Sequence, residues 1–341
     1  MGDFYIGNKL LSLRDLNGNK PEIFMCCGNR TAGKTFFFKR WFVKRALEKH
    51  ERFVVFVRQV EAIKDAYMGF WADIGPIVWP NKQMTQRPLL HGKAGLLSID
   101  GVPVGYVVSL NDPDTIKRNS SLFADAQRGF FDEFQSESGK YLAKEFQKFN
   151  SVRLSIARGG AQGTHSRYFP VYMCSNMVTE FNPYFEALKC LPSKRDKFLR
   201  GDGWVLEQTF NVKAAEAIKK NFKTLSDKEL QYATRNEYLL DTNTFVDKVP
   251  GTKTCACMIR YEGKRYGIWQ TQQGFYYVSS KLWAETPFVF ALDNDSHNTD
   301  SIYITKSMPV AKALRKAYDM GNMRFENQGS KNAFVLAMGI E

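Results

Sequence analysis

Gly28-Asn29-Arg30-Thr31-Ala32-Gly33-Lys34-Thr35 stands between two segments of different character. Before it, Glu22-Ile23-Phe24-Met25-Cys26-Cys27 is a short, bounded apolar run that reads as a buried strand. After it, residues 36–47 contain neither Gly nor Pro and read as a helix. A G-x-x-x-x-G-K-T loop joining strand to helix is a phosphate cradle. Its glycines let backbone N–H groups turn inward around a β-phosphate, and the helix N-terminus adds partial positive charge. Lys34 is expected to reach the β- and γ-phosphates, and Thr35 to offer its hydroxyl to Mg²⁺. The loop as a whole, Gly28 through Thr35, is therefore expected to bind a nucleoside triphosphate.

Outward from the loop, residues 4–21 form a lead-in that could lie against a base or simply cover a sheet edge. Arg52-Phe53-Val54-Val55-Phe56-Val57-Arg58 reads as a buried parallel strand. Arg58 then falls at the C-terminal strand edge, where open α/β sheets bind ligands. A helix is expected over 61–74. Asp100-Gly101 between two apolar runs predicts a hairpin decorating the α/β unit, and 111–127 reads as a long polar loop. Arg128-Gly129-Phe130-Phe131-Asp132-Glu133-Phe134 runs apolar residues into two consecutive carboxylates. Asp132 is expected to hold Mg²⁺ opposite Thr35, and Glu133 to act as general base toward a water. That pairing suggests an ATPase with its own catalytic glutamate and a strand intervening in the sheet.

Residues 139–157 read as a helix ending at Arg158, followed by glycines that fit a C-terminal stop. An arginine there could reach a neighbouring subunit's γ-phosphate, because guanidinium pairs bidentately with phosphate; it could equally be a solvated helix end. The strand 168–176 ends at Asn176, a position from which a side chain could orient water. Residues 189–200 hold five basic residues against one acid. They suggest a basic linker over 189–210, between an ATPase domain at 1–188 and a second domain at 211–341.

Helices are expected at 211–222, 226–240 and 309–320, with a meander over 253–280 and a strand at 301–305, a ribonuclease H-like layout. A two-metal nuclease needs carboxylates converging from several strand ends. Here Glu262 lies in a turn, and Asp293, Asp295 and Asp300 share one loop. The second domain therefore reads as having lost nuclease chemistry. The expected fold class is α/β: a mostly parallel P-loop domain with helices on both faces and an inserted hairpin, followed by this smaller α+β domain.

The 341 residues carry a formal net charge of +13. That favours a polyanionic partner, and most of the excess lies before residue 205. No apolar run reaches the ~18 residues of a membrane span, and the first residues do not look like a signal peptide. The six cysteines form no C-x-x-C pair and read as reduced core residues of a cytosolic protein. The histidines show no metal-ligand spacing.

Several unconnected pieces resemble the DNA-packaging (encapsidation) ATPases of small podophages of the Picovirinae type, relatives of terminase large subunits. They are the phosphate loop with Arg30 inside it, Phe131-Asp132-Glu133-Phe134, and Cys174-Ser175-Asn176 with Asn182-Pro183-Tyr184-Phe185. In the C-terminal half Gly267-Ile268-Trp269, Gly274-Phe275-Tyr276-Tyr277 and Met323-Arg324-Phe325-Glu326-Asn327-Gln328 also fit. The resemblance covers nearly the whole chain and is loose over 139–170 and 190–250. It implies a homopentameric ring at the portal vertex of a procapsid, in the host cytoplasm and absent from the mature virion. Such a ring drives double-stranded DNA inward by ATP hydrolysis with Mg²⁺, and a packaging RNA can serve as docking partner. It implies that Arg158 acts in trans, together with Lys117 or Arg118. Two other readings compete: a nuclease-active terminase, and a nucleotide-dependent assembly switch without transport.

Overall fold

The computed structural model describes residues 5–138, 140–158, 166–179, 182–190, 192, 197–225, 230, 253–271, 275–282, 288–319 and 322–340. The chain divides into two compact units, residues 1–239 and 240–341.

In the first unit the apolar run before the phosphate loop is β1 (Ile23–Gly28), buried along its whole length. The helix after it is α2 (Lys34–Lys49), α1 being the short helix Asn8–Ser12 in the lead-in. The remaining strands are β2 (Arg52–Val57), β3 (Met84–Leu89), β4 (Ala94–Ile99), β5 (Val102–Ser109), β6 (Ala126–Asp132), β7 (Val171–Asn176), β8 (Phe198–Gly201) and β9 (Trp204–Thr209). They form one nine-stranded sheet in the order β3-β4-β5-β2-β6-β7-β1-β9-β8. The central strands are parallel, and antiparallel pairs occur at both edges. Alternation along β1 shows why helices must cover both faces. Ile23, Met25 and Cys27 pack with Phe149, Val152 and Ile156 of α5 (Glu145–Arg158). Phe24 and Cys26 share the opposite core with Phe38 and Phe42 of α2, and with Ile63, Phe70 and Ile74 of α3 (Ala62–Val78).

β7 lies between β1 and β6, so one strand separates the phosphate loop from the two carboxylates, as the sequence suggested. Other expectations need correction. The hairpin is no decoration: β5 pairs in parallel with β2 and carries β4 and β3 outward from it, extending the sheet. Residues 111–127 are not a plain loop. The Asp112 carboxylate accepts from Thr115 N (3.3 Å) and Pro113 starts the turn, giving the short helix α4 (Pro113–Arg118). A further turn over Ser120–Phe123 buries Phe123 in the core. The helix expected from 139 begins at Glu145, because Lys144 takes a left-handed φ of 55°.

The proposed linker 189–210 contains β8 and β9, and β9 pairs in parallel with β1 in register Ile23↔Trp204 to Gly28↔Thr209. The first compact unit runs to residue 239, so neither a boundary at 188 nor a second domain starting at 211 matches the contacts. The helix Val212–Asn221 follows β9 directly, with Asn211 as its N-cap.

The second unit has a six-stranded sheet in which strands Lys253–Tyr261, Lys264–Thr271 and Tyr276–Ser279 form the expected antiparallel meander. Val289–Ala291 pairs in parallel with the first of these, and Ile302–Tyr303 with Val289–Ala291. Met323–Phe325, not foreseen, pairs in parallel with the third. Helices Pro309–Asp319 and Gln328–Met338 complete the unit, the second closed by an Asn327–Ser330 capping box. All of the expected helix at 226–240 except residue 230, the glycines after Arg158 and the turn at Gln272-Gln273 lie outside the described residues.

Candidate nucleotide site

The phosphate loop leaves β1 at Gly28, where a Cβ would meet Thr209 O at 2.5 Å. Only glycine lets β1 pass this close to β9. Thr31 takes a left-handed φ of 59°, and Gly33 caps α2 at φ 90°. The loop thus turns sharply into the N-terminus of a sixteen-residue helix, the arrangement that favours bound anions.

Below this turn lies a cavity of about 340 Å³ lined by Thr31 through Phe36, Asp73, Asp132, Glu133, Ser175 and Asn176. Lys34 is buried and donates from Nζ to the carbonyls of Gly28 (3.1 Å) and Asn29 (2.8 Å). Its ammonium is therefore held over the loop and has a third donor to give. Thr35 Oγ1 donates to Asp132 Oδ1 at 3.0 Å. The same oxygen accepts from Cys174 Sγ (3.0 Å) and from Glu133 N (3.1 Å). Burial pushes the Cys174 thiol well up, with the Asp132 charge adding to the effect, so it stays protonated and donates.

Glu133 follows Asp132 with a left-handed φ of 54°, a strained conformation for a glutamate. Arg58 holds it there. The Arg58 guanidinium donates from Nη1 to Glu133 O (2.8 Å) and from Nη2 to Phe134 O, and its Nε reaches both carboxylate oxygens of Glu145 (3.1 and 3.2 Å). Glu145 is 1% exposed and accepts also from Tyr184 Oη at 2.8 Å. This buried charge is satisfied, which is the condition for burying it at all. Crowding by protein atoms raises the carboxyl pKa of Glu133, and the like charges of Asp132 and Glu137 raise it further. A raised pKa suits a proton acceptor working near neutral pH.

Several expected residues sit elsewhere. Gly28, Asn29 and Arg30 do not line the cavity. Asn29 is 1% exposed and exchanges hydrogen bonds with Asn211, donating to Asn211 O (3.0 Å) and accepting from Asn211 N (2.9 Å). Arg30 pairs with Glu137, which also accepts from Asn176 Nδ2 at 3.0 Å. Arg158 ends α5 far from the loop of its own chain. The helix starts beside Arg58, and its fourteen residues span about 21 Å. At its far end Arg167 N donates to Ala157 O (3.2 Å) and the Arg167 guanidinium to Ala126 O, at the start of β6. Lys117 and Arg118 close α4, with Lys117 3.6 Å from Asp114, and neither lines the cavity.

Sequence reasoning missed Asp73, which lines the cavity from α3 and pairs with Lys39 of α2. It missed Glu145 and Glu137, and Gln135, whose side chain accepts from Val178 N and Thr179 N (both 3.0 Å) and donates to Cys27 Sγ. These act across tens of residues and leave no local pattern. Arg58 was noted for its place at the strand edge, and that placement holds.

Loop, helix and strand order define a P-loop α/β protein of the ATPase class. A family profile described as podovirus DNA encapsidation protein (Gp16) matches residues 3–337. The chain belongs to that family. It is 24% identical over 339 residues to the DNA packaging protein of Bacillus phage phi29, covering 96% of this chain and 95% of that one. A second relative, the DNA packaging protein of Bacillus phage B103, is 24% identical over 310 residues and 91% covered. Among solved structures, a chain of the bacteriophage Phi-29 viral genome packaging motor assembly superposes with a TM-score of 0.62 at 20% identity, 96% of each chain being covered. These structural likenesses concern the fold.

Proposed function

We propose that this chain is the ATP-hydrolysing subunit of a ring motor that drives double-stranded DNA into a procapsid. The observation that carries the catalytic part is the junction of Thr35 and Asp132, 3.0 Å apart, with Glu133 and Lys34 on the same cavity. A hydroxyl and a carboxylate side by side are the hard oxygen donors that suit Mg²⁺ when substrate phosphates and water supply the rest. Thr35 and Asp132 would hold that ion, which when bound offsets charge on the β- and γ-phosphate oxygens. Lys34 would leave its two carbonyl acceptors in part to meet the phosphates. Glu133 would take a proton from water as its oxygen attacks the γ-phosphorus and ADP leaves. Asn176, which lines the same cavity and is tied to Glu137, would orient that water.

Arg158 lies too far from its own loop to serve it in cis, which supports a role toward a neighbouring copy's ATP, with Lys117 or Arg118 as its companion. Ring assembly in this reading is homopentameric, at the portal of the procapsid, with a packaging RNA as a further docking partner. Contacts to DNA would be to phosphates, which need charge rather than sequence reading, and the net charge of +13 supplies it. The relatives named as DNA packaging proteins, and the family itself, support the same reading. Steady-state turnover measured with and without long duplex DNA tests it. Stimulation by DNA, lost in Glu133→Gln, is expected; DNA-independent turnover, or none, overturns it. If Arg158→Ala subunits hydrolyse normally in an assembled ring, the role in trans is wrong.

A further inference from the structure

The Asp132 carboxylate is held by one of its oxygens. Oδ1 accepts from Thr35 Oγ1 (3.0 Å), Glu133 N (3.1 Å) and Cys174 Sγ (3.0 Å). Among the described residues nothing donates to Oδ2. Thr35 and Glu133 already have parts in the chemistry proposed above, whereas Cys174 has none. β7 lies between β6 and β1, and Cys174 stands in register with Asp132 on one side and Cys26 on the other. In-register residues of adjacent strands share one face of the sheet. Both cysteines are 0% exposed and belong to the core that holds Phe24, Phe38 and Tyr172. The thiol thus reaches Asp132 from the packed side, while Asp132 itself lines the nucleotide cavity. Its sulfur is also 4.0 Å from Thr35 Oγ1, so thiol, hydroxyl and carboxylate meet at one point.

We infer that Cys174 is a positioning residue for the metal–nucleotide complex, pinning Asp132 Oδ1 so that Oδ2 stays available to Mg²⁺ or to a water on it. The inference rests on the nucleotide reading above. Mg²⁺ is held through one or two carboxylates and keeps several waters, and the groups behind a ligand fix its orientation. Thr35 would give part of its oxygen to the ion. Cys174 has no such second duty, and its hold on Oδ1 persists when the site fills. A thiol suits the place because it packs as a small hydrophobe with a weak S–H donor. It is cheap to bury and leaves charge on the carboxylate.

Mn²⁺ binding to the full chain with excess ADP, read from the electron paramagnetic resonance signal of free Mn²⁺, tests this beside ADP binding in EDTA. Cys174→Ala should weaken Mn²⁺ about tenfold and leave metal-free ADP binding unchanged. Cys174→Val fills the space without a donor and should show the same loss. Cys174→Ser restores a donor and should recover most of the affinity. Cys26→Ala makes the same deletion in the same core, away from Asp132, and should bind Mn²⁺ as wild type does. If the Ala and Val variants at 174 match wild type, or Ser loses as much as they do, the thiol only packs and the inference is wrong. Equal loss in Cys26→Ala would assign the effect to the core and overturn it as well. If ADP fails to bind wild type with or without Mn²⁺, the nucleotide reading itself falls, and this inference with it.

Discussion

The two sheets carry their carboxylates in different ways. In the first unit β1, β6 and β7 are parallel, so their C-terminal ends share one edge. Thr35 just beyond β1, Asp132 at the end of β6 and Asn176 at the end of β7 meet there without any strand bending. In the meander of the second unit successive strand ends alternate between edges, and two acids of that unit are held by neighbouring donors. The Glu326 carboxylate accepts from Ser280 N and Oγ (both 2.7 Å), and Asp293 accepts from Ser296 N (2.7 Å). Among the described residues no group of three or more His, Cys, Asp or Glu side chains could hold a metal. Strand direction, more than the number of acids, separates the unit that gathers its polar strand-end side chains on one cavity from the other.

The comparison can be broken first at its strongest point. Glu133→Gln should lower kcat by at least ~100-fold with ATP affinity retained, whereas Asp293→Asn should leave turnover unchanged. Equal losses in the two variants, measured by phosphate release, would erase the distinction. A second contrast concerns burial. Glu145→Ala strands the Arg58 guanidinium, itself 18% exposed, and should cost about 3 kcal/mol in urea unfolding. Glu326→Ala removes only partly exposed hydrogen bonds and should cost about 1 kcal/mol.

A third test uses pH. Glu133 must be ionised to accept a proton and its pKa is raised, so the acid limb of kcat should lie above the ordinary glutamate range. Glu137→Gln removes one of the like charges and should move that limb down. The same shift penalises the folded state at neutral pH, and the penalty disappears as pH falls below the ordinary glutamate value. Glu133→Gln should therefore unfold at slightly higher urea than wild type at pH 7 and at the same urea in acid. The smallest expected effect is none: supercoiled plasmid incubated with the chain and Mg²⁺ or Mn²⁺ should stay uncut, and nicking abolished by changes at Asp293 or Glu262 would make the second unit catalytic.

Legibility followed the range of the interactions. β1, α2, β2 and β6 were plain because apolar runs and the Gly-Lys-Thr signal are local. The strand Trp204–Thr209 was hidden by Glu207 and Gln208, polar residues within a buried strand. Glu207 is tolerated there because Tyr5, some 200 residues earlier, donates to it (|i−j| = 202). The same blindness turned a sheet strand into a linker and left cavity residues such as Asp73 unseen. β5 read as half of a decoration because a hairpin signal tells which strand pairs on one side and is silent about the other, where β2 lies.

By itself the chain's sequence determined that a phosphate loop exists, that two carboxylates end a buried strand, and that an antiparallel meander lies in the second half. Each follows from residue type and spacing within a dozen positions. Only the tertiary structure decided that Thr35 meets Asp132, that Arg58 and Glu145 brace Glu133, and that Arg158 stands a helix length away from its own loop. Those outcomes depend on strand order and helix direction, which arise from packing both faces of one sheet at once and have no signature in any single segment.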